Sequence, residues 1–413
     1  MGRLSAPAAA TLRLVLGVCC ALACLLPAAR ARAAAPPRLD ASASALLSAD
    51  TGQLLYGHAA QRELAIASTT KLMTALVVLE HASLQAVFPD PNFYFPTVDS
   101  QIGLVPGERM TVHDLLLAML LPSADDAAED LAFNVGGTVA RFVAMMNARA
   151  RVLGLTHTHY STPVGLDTPG NYSSASDLVR LARYVLRVEP FVRAAVARPS
   201  AELLSGLHPR TVINLNDLVG RVKWINGVKT GHTLQAGYVL VGSGTRGGMT
   251  LISAVLGTPS MAERDSTTLS ILNWGFANFH LATPVRAGTV LARPRVRYQT
   301  GVRAWVVAGA TFRSVLARRA VIRTRITLPA ILAGPLRRGA RVGTIAVLAD
   351  GQVVGRVPLV LAVALRAASP PDGLLGGGTT LVFLLLLAAA LVVATGFGGR
   401  WRRGTAAHGR RRR

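Results

Sequence analysis

The stretch Ala67-Ser68-Thr69-Thr70-Lys71-Leu72-Met73-Thr74 carries the reading of this chain. Ser68 and Lys71 open a segment, residues 68 to about 83, in which Leu72, Ala75, Leu76 and Leu79 recur with helical spacing. Three residues apart at a helix start, the two side chains share one face within reach of each other. A serine hydroxyl is a poor nucleophile until a neighbouring base takes its proton. No His or Asp lies close in sequence, so Lys71 is the candidate base. Lysine is scarce here: of 44 basic residues only Lys71, Lys223 and Lys229 are lysines. Arginine keeps its proton at any usable pH, whereas a desolvated or crowded lysine amine can lose it. Taken singly, S-x-x-K is a weak signal that recurs by chance.

Two further stretches raise its weight. Ser123-Ala124-Asp125 follows Pro122 at a break between two apolar helical segments, where Ser123 can relay protons between Lys71 and a leaving group. Lys229-Thr230-Gly231-His232 continues a strand-like run over 227–230. There Lys229 can attract a substrate carboxylate and Thr230 can hydrogen-bond it. Gly231 lacks a side chain, so an extended substrate can lie along the strand edge as an added strand. The ordered trio S-x-x-K, S-x-[N/D], K-T-G is far more specific than any one element.

The surrounding elements read as an α+β frame. Ser44 to Ser48 and Leu54-Leu55-Tyr56 flank Asp50-Thr51-Gly52 as strand, tight turn and strand. The Pro- and aromatic-rich stretch 88–96 reads as a surface loop. Thr111-Val112-His113-Asp114 has the form of a capping box with Asp replacing Glu, opening a helix that stops at Pro122. One helix follows Ser123, another runs from about 138 to 153 and is closed by Gly154, and Ser176 is placed as the cap of a helix through Arg187. Segments 237–242 and 249–256 form a hairpin across Thr245-Arg246-Gly247-Gly248, and 259–279 is a final amphipathic helix. Strands early and late, with helices between, predict an antiparallel sheet with helices packed on it and an all-helical half. From Pro284 to Arg366 short Val/Ile/Leu runs alternate with Gly and Pro turns, the texture of a small β-sandwich. Asp350 is its sole acid among arginines. That points either to a solvated basic surface or to attraction for anionic headgroups or wall polymers.

The formal charge of +23 and pI near 11.5 first suggest nucleic acid, but the distribution of charge argues against it. Met1 to Arg13 is basic and acid-free, Leu14 to Leu26 is apolar, and Ala31-Arg32-Ala33-Ala34-Ala35 precedes Pro36. That is the layout of a secretory signal, cleaved after Ala33 or Ala35; Ala21-Leu22-Ala23 before Cys24 is a poor lipobox. Cys19, Cys20 and Cys24 all lie in this segment. The mature chain then has no thiol, which excludes a cysteine nucleophile, a Cys-type zinc site and a disulfide framework. Residues 379–398 carry no charge over a length that spans a bilayer, and Arg400, Arg402, Arg403 and Arg410 to Arg413 follow. Basic residues beside a span stay cytoplasmic, so the tail is topogenic and everything before it faces outwards. The expected organisation is a signal peptide over 1–35, a catalytic domain over 36–283, a β-rich domain over 284–366, a linker over 367–378, a transmembrane helix over 379–398 and a basic tail over 399–413.

On Ala67 to Thr74, Leu121 to Ala128 and Gly227 to Thr233, the chain resembles the serine D-alanyl-D-alanine carboxypeptidases, the low-molecular-mass penicillin-binding proteins of peptidase family S11. Gly165-Leu166-Asp167, Tyr172-Ser173-Ser174-Ala175 and Ala236-Gly237-Tyr238 are similar as well. The resemblance is strong from about residue 43 to 279 and loose over the β-module. It implies a β-lactamase/transpeptidase-like catalytic domain, a single-pass place in the bacterial cell membrane, and the catalytic domain on the extracytoplasmic side. The implied substrates are peptidoglycan stem peptides ending in D-Ala-D-Ala, with β-lactams as inhibitors, no cofactor and no metal. Ser68 attacks, Lys71 is the base, and Ser123 relays protons. Backbone N–H groups of Ser68 and His232 form the oxyanion hole, and Lys229, Thr230 and Gly231 receive the terminal carboxylate. The family usually has Asn where Asp125 stands. A carboxylate cannot donate to the substrate carbonyl, and an ionised one favours the protonated Lys71, which weakens the base and shifts the pH optimum. Alternatives are a D,D-endopeptidase on crosslinks and a non-catalytic peptidoglycan-binding relative. No Glu-x-x-Leu-Asn stretch supports a β-lactamase, and His157 and His159 lack a third zinc ligand.

Overall fold

Strand β1 (Ala43–Ser48) is buried along its whole length because both faces of its sheet are covered. Ala43, Ala45 and Leu47 pack into one hydrophobic cluster and Leu46 into another, so the alternation along the strand divides two cores. The computed structural model describes residues 35–91, 100–367 and 382–391. The predicted signal segment apart from Ala35, the linker beyond Ala367, the basic tail and both ends of the predicted span lie outside them. Residues 382–391 are helical, and among the described residues no helix is long and apolar enough to cross a membrane.

The chain forms two units, the first comprising residues 35–282 with 313–322 and 349–351. After β1 come β2 (Leu54–His58), a 3-10 turn (Ala67–Thr70) and α1 (Lys71–His81). Then follow β3 (Val87–Pro89), β4 (Arg109–Thr111), α2 (Val112–Leu120), α3 (Asp125–Gly136) and α4 (Val139–Val152). The rest is α5 (Ala175–Val188), α6 (Pro190–Ala195), β5 (Ser200–Leu203), β6 (Arg210–Ile213), α7 (Leu218–Arg221), β7 (Ile225–Thr233), β8 (Gly237–Arg246), β9 (Met249–Thr258) and α8 (Met261–Asn278). The principal sheet runs β2-β1-β9-β8-β7 and is antiparallel throughout. Ile271, Leu272 and Phe276 of α8 cover one face, and helices α1 to α6 with their loops cover the other.

The sequence placed these elements with informative errors. The β8–β9 strands run on to Arg246 and resume at Met249, and Gly247 and Gly248 alone make the turn, both at positive φ. That is the two-residue hairpin form whose backbone twist suits the flanking strands. Thr111 caps α2 by accepting from the Asp114 N–H, but Asp114 does not return the bond. Its carboxylate instead accepts from the N–H groups of Leu204 and Ser205 and from the Ser205 hydroxyl. Within the stretch read as a loop, Val87 to Pro89 pair with Arg109 to Thr111, and the part 92–96 lies outside the described residues. Helix α5 starts earlier than expected: its cap is Ser174, whose hydroxyl accepts from Asp177 N–H, while Ser176 is already inside the helix. Both serines precede the same apolar run, and only the backbone geometry separates them.

The second unit comprises residues 283–312, 323–348 and the chain from 352. Its strands include β11 (Val290–Ala292), β12 (Arg295–Val296), β13 (Gln299–Arg303), β14 (Val306–Ala308), β16 (Ile322–Thr327), β17 (Ile331–Leu332), β18 (Arg341–Ala349) and β19 (Gln352–Leu361), while β10 (Phe279–Val285) and β15 (Phe312–Ala317) pair in a two-stranded sheet. A five-stranded sheet of order β11-β14-β19-β18-β16 and a three-stranded sheet β13-β12-β17 share one small core built on Val306, Val347 and Leu359.

The cap assignment predicts a clear asymmetry between two neighbouring serines. Ser174→Ala costs about 1 kcal/mol, seen as a lowered thermal midpoint, while Ser176→Ala stays within about 0.5 kcal/mol of the parent.

Candidate active site

Ser68 sits in the 3-10 turn and Lys71 is the first residue of α1, so the helix start aims both inward. The Lys71 side chain is wholly buried. Its Nζ lies 2.9 Å from Ser68 Oγ, 2.5 Å from Asp125 Oδ1 and 3.0 Å from the Val164 carbonyl. An ammonium has three N–H donors, and all three are used. A neutral amine in the same place keeps its bonds to Asp125 and Val164 and turns its lone pair to the Ser68 hydroxyl. The geometry thus accommodates both protonation states without moving an atom.

Burial pushes the Lys71 amine below its ordinary value, and the Asp125 carboxylate opposes that shift, with smaller help from Glu129 and Asp126. The expected influence of Asp125 on the base is present, but desolvation outweighs it. Asp125 touches Lys71 at the start of α3, and its N–H donates to the Ser100 carbonyl at 2.7 Å. Next to it, Asp126 accepts from the N–H groups of Ile102, Gly103 and Leu104, fastening the segment 100–104 onto the first turn of α3. Ser123 is buried with φ +68, a conformation costly for a residue with a side chain, and its Oγ has no hydrogen-bond partner.

Across from the turn runs β7, the edge strand of the sheet. A Cβ on Gly231 would stand 2.9 Å from Ala67 Cβ and 3.0 Å from the Ser68 nitrogen. The strand backbone can approach the nucleophile turn only because that side chain is missing. Lys229 and Thr230 are buried beside it, and Lys229 Nζ donates to the Thr230 carbonyl at 3.0 Å. Burial, then the Lys71 charge, hold the Lys229 amine well below its ordinary value, with Arg264 adding to the repulsion and Asp125 opposing it. His232 is exposed, and its ring lies 4.0 Å from that of Tyr238, its cross-strand partner.

The loop between α4 and α5 closes the third side. It supplies the Val164 carbonyl to Lys71, and Thr74 donates to Pro163 at 2.6 Å. Asp167 ties the same loop to the end of β7, accepting from Thr233 Oγ1 and Gln235 N–H. The structure brings Ser68, Lys71, Asp125 and Gly231 together, with Lys229 and Thr230 buried in the same strand as Gly231. Ser123 lies two residues before Asp125 and makes no side-chain hydrogen bond among the described residues, and His232 meets Tyr238.

Comparison with known proteins identifies the family. The family model for D-alanyl-D-alanine carboxypeptidase, peptidase family S11, matches residues 30–260. The chain belongs to this family. It is 30% identical to the D-alanyl-D-alanine carboxypeptidase DacA of Escherichia coli over 345 residues, covering 79% of this chain and 83% of that protein. It is 34% identical to DacD of Salmonella typhimurium over 276 residues, 64% of this chain and 70% of that one. Penicillin binding protein 5 of Haemophilus influenzae superposes with a TM-score of 0.68 at 28% identity, over 80% of this chain and 99% of that one. The DD-transpeptidase of Streptomyces K15 gives 0.56 at 33% identity, over 59% of this chain and 99% of that one. The penicillin-binding-protein fold of the first unit is thus shown by relatives as well as by its own topology.

Sequence reasoning missed two groups in this carboxypeptidase. Glu129, one helical turn after Asp125, is pushed up to about 7 by burial and then by the Asp125 charge; the i, i+4 spacing of two acids was the available signal. Arg264 is buried on α8 beside Asp265, with Nε 2.8 Å from Oδ1. Its charge acts on Lys229, and no motif marks it because it comes from a helix distant in sequence.

Gly165, at φ +97, offers a sharp test of this assembly, since a Cβ there would stand 2.0 Å from the Ala67 carbonyl oxygen. Backbone on both sides leaves nothing to yield. Gly165→Ala is expected to lower stability by about 2 kcal/mol or more and to slow penicillin acylation together with it. Unchanged melting and acylation would refute the close approach.

Proposed function

We propose that this protein is a serine-type carboxypeptidase that removes the terminal D-alanine from peptidoglycan stem pentapeptides and is acylated by penicillins. The observation that carries the residue assignment is the Ser68 Oγ to Lys71 Nζ contact at 2.9 Å, with Lys71 buried and the edge strand β7 alongside. In this reading the substrate lies extended along β7 as an added strand. Ser68 Oγ attacks the carbonyl of the penultimate D-alanine while Lys71 takes the hydroxyl proton. The N–H groups of Ser68 and His232 face the developing oxyanion. Ser123 passes the proton to the leaving amine, the peptide C–N bond breaks, D-alanine departs, and water then cleaves the ester to regenerate Ser68. Burial and the Lys71 and Arg264 charges disfavour the Lys229 ammonium, and a substrate carboxylate arriving beside it supplies the opposite charge. Carboxylate binding and Lys229 protonation are thus coupled.

The same proposal extends to placement. Residues 1–35 direct export, 379–398 form one span, the second unit is a small β-sandwich, and the catalytic unit works outside the cell membrane. Its support is the basic flank after the uncharged run and the exposure of every side chain at 382–391, as a lipid-facing helix requires.

Incubation with a fluorescent penicillin, followed by peptide mass spectrometry, should place the label on Ser68, and Ser68→Ala should carry none. Label elsewhere, or none on the folded parent, overturns the assignment.

The pH profile tests Asp125. Its charge stabilises the Lys71 ammonium, so Asp125→Asn removes a raising influence and the Lys71 pKa falls further. The rising limb of acylation rate against pH, which follows loss of that proton, should move to lower pH. Superimposable limbs would show that Asp125 exerts no charge on the base.

A further inference from the structure

The second unit contains no aspartate or glutamate in residues 283–312, 323–348 or 352–367, and every charge it carries there is an arginine. Asp350, the acid between those segments, belongs to the first unit and accepts from Val321 N–H. Among the described residues of the unit these arginines have no carboxylate of their own to pair with, so the field there is positive. The arginines are also not evenly spread. A cavity of about 530 Å³ opens on the three-stranded sheet, with Arg295, Arg297, Arg303, Tyr298 and Ile331 among its walls. Tyr298, at φ +58, forms the tip between β12 and β13 and is 53% exposed, while Ile331 is 51% exposed. Arg303 donates to the Arg293 carbonyl, and the Arg293 guanidinium stacks on Trp305 at 3.8 Å; Trp305 is itself 45% exposed. Guanidinium forks around a cleft, rimmed by exposed aromatic and aliphatic side chains, match a lipid headgroup region. Its phosphates accept paired N–H donors, and its boundary takes Tyr and Trp rings.

We propose that this cleft is a binding site for the phosphodiester headgroups of anionic lipids, through which the second unit docks on the surface of the membrane. The proposal draws on the membrane-anchored reading above for one point only, the arrival of the unit at the bilayer. The predicted linker 367–378 is short enough that it spans at most about 40 Å even when fully extended. Arginines held that close to a negatively charged leaflet spend much of their time within its Debye layer of about 10 Å. A polyanionic wall polymer offers the same phosphodiester but neither an apolar layer for Tyr298, Trp305 and Ile331 nor the tether that concentrates the site. The lipid surface is therefore the partner that uses the whole patch.

The test mixes the full chain with bilayers of phosphatidylcholine alone or phosphatidylcholine with phosphatidylglycerol and reads hydrogen exchange of peptides covering 295–303. Slowed exchange only on the phosphatidylglycerol bilayers is expected, reversed by high salt. The triple variant R295Q/R297Q/R303Q should lose it, with binding weakened by roughly a hundredfold, while R295K/R297K/R303K should retain most of it. Penicillin acylation of each variant reports that the protein is folded. Membrane insertion is scored separately by resistance to alkaline extraction, so loss of the anchor and loss of docking give different results. Equal exchange on the two bilayers overturns the proposal whether or not the chain inserts. Equal or stronger protection by soluble poly(glycerol phosphate) overturns the lipid assignment in favour of a wall polymer.

Discussion

Burying the Lys71 ammonium demands three acceptors, and each comes from a different part of the chain: Ser68 from the turn before α1, Asp125 from the start of α3 and the Val164 carbonyl from the loop between α4 and α5. An unpaired charge at that depth costs several kcal/mol, so the three segments are held together by the need to satisfy it. The site is thereby also a structural junction of the helical half. Its chemistry depends on the same balance, because the environment that lowers the amine's pKa must leave its lone pair directed at the serine.

Two missing side chains complete that junction. Gly231 lets the edge strand β7 lie against the nucleophile turn, and Gly165 lets the loop carrying Val164 close over the Ala67 carbonyl. Where Lys71 attracts polar groups, these glycines remove steric obstacles, and either requirement alone would leave the cleft open on one side. Asp125 is the unusual component. It fills the third corner with a carboxylate, and the local field becomes a contest between desolvation and the cluster of Asp125, Asp126 and Glu129 on α3.

The second unit follows a different logic. Its core is small and its sheets short, yet its surface is basic and partly apolar around the β12–β13 tip. A spacer would need only stability and solubility. Arginines without a single acid among the unit's described residues, in a chain predicted to be tethered close by, are better explained by a negatively charged plane that the unit meets.

The sequence by itself determined the family and most of the architecture of the first unit. Ser68, Lys71, Ser123 and the Lys229-Thr230-Gly231 run are short-range patterns whose residue types are dictated by what each must do, and the apolar periods of 2 and 3.6 residues reflect which side chains are buried. It erred where several residues offered the same local signal, as with Ser174 and Ser176 at the start of α5, or where Asp114 turned from its own helix to Ser205. Only the tertiary structure decided how charge is shared in the site. Whether Asp125 strengthens or weakens the base, and that Glu129 and Arg264 take part at all, depends on burial and on distances between segments far apart in the chain. Neither desolvation nor Coulomb energy can be read from spacing along it.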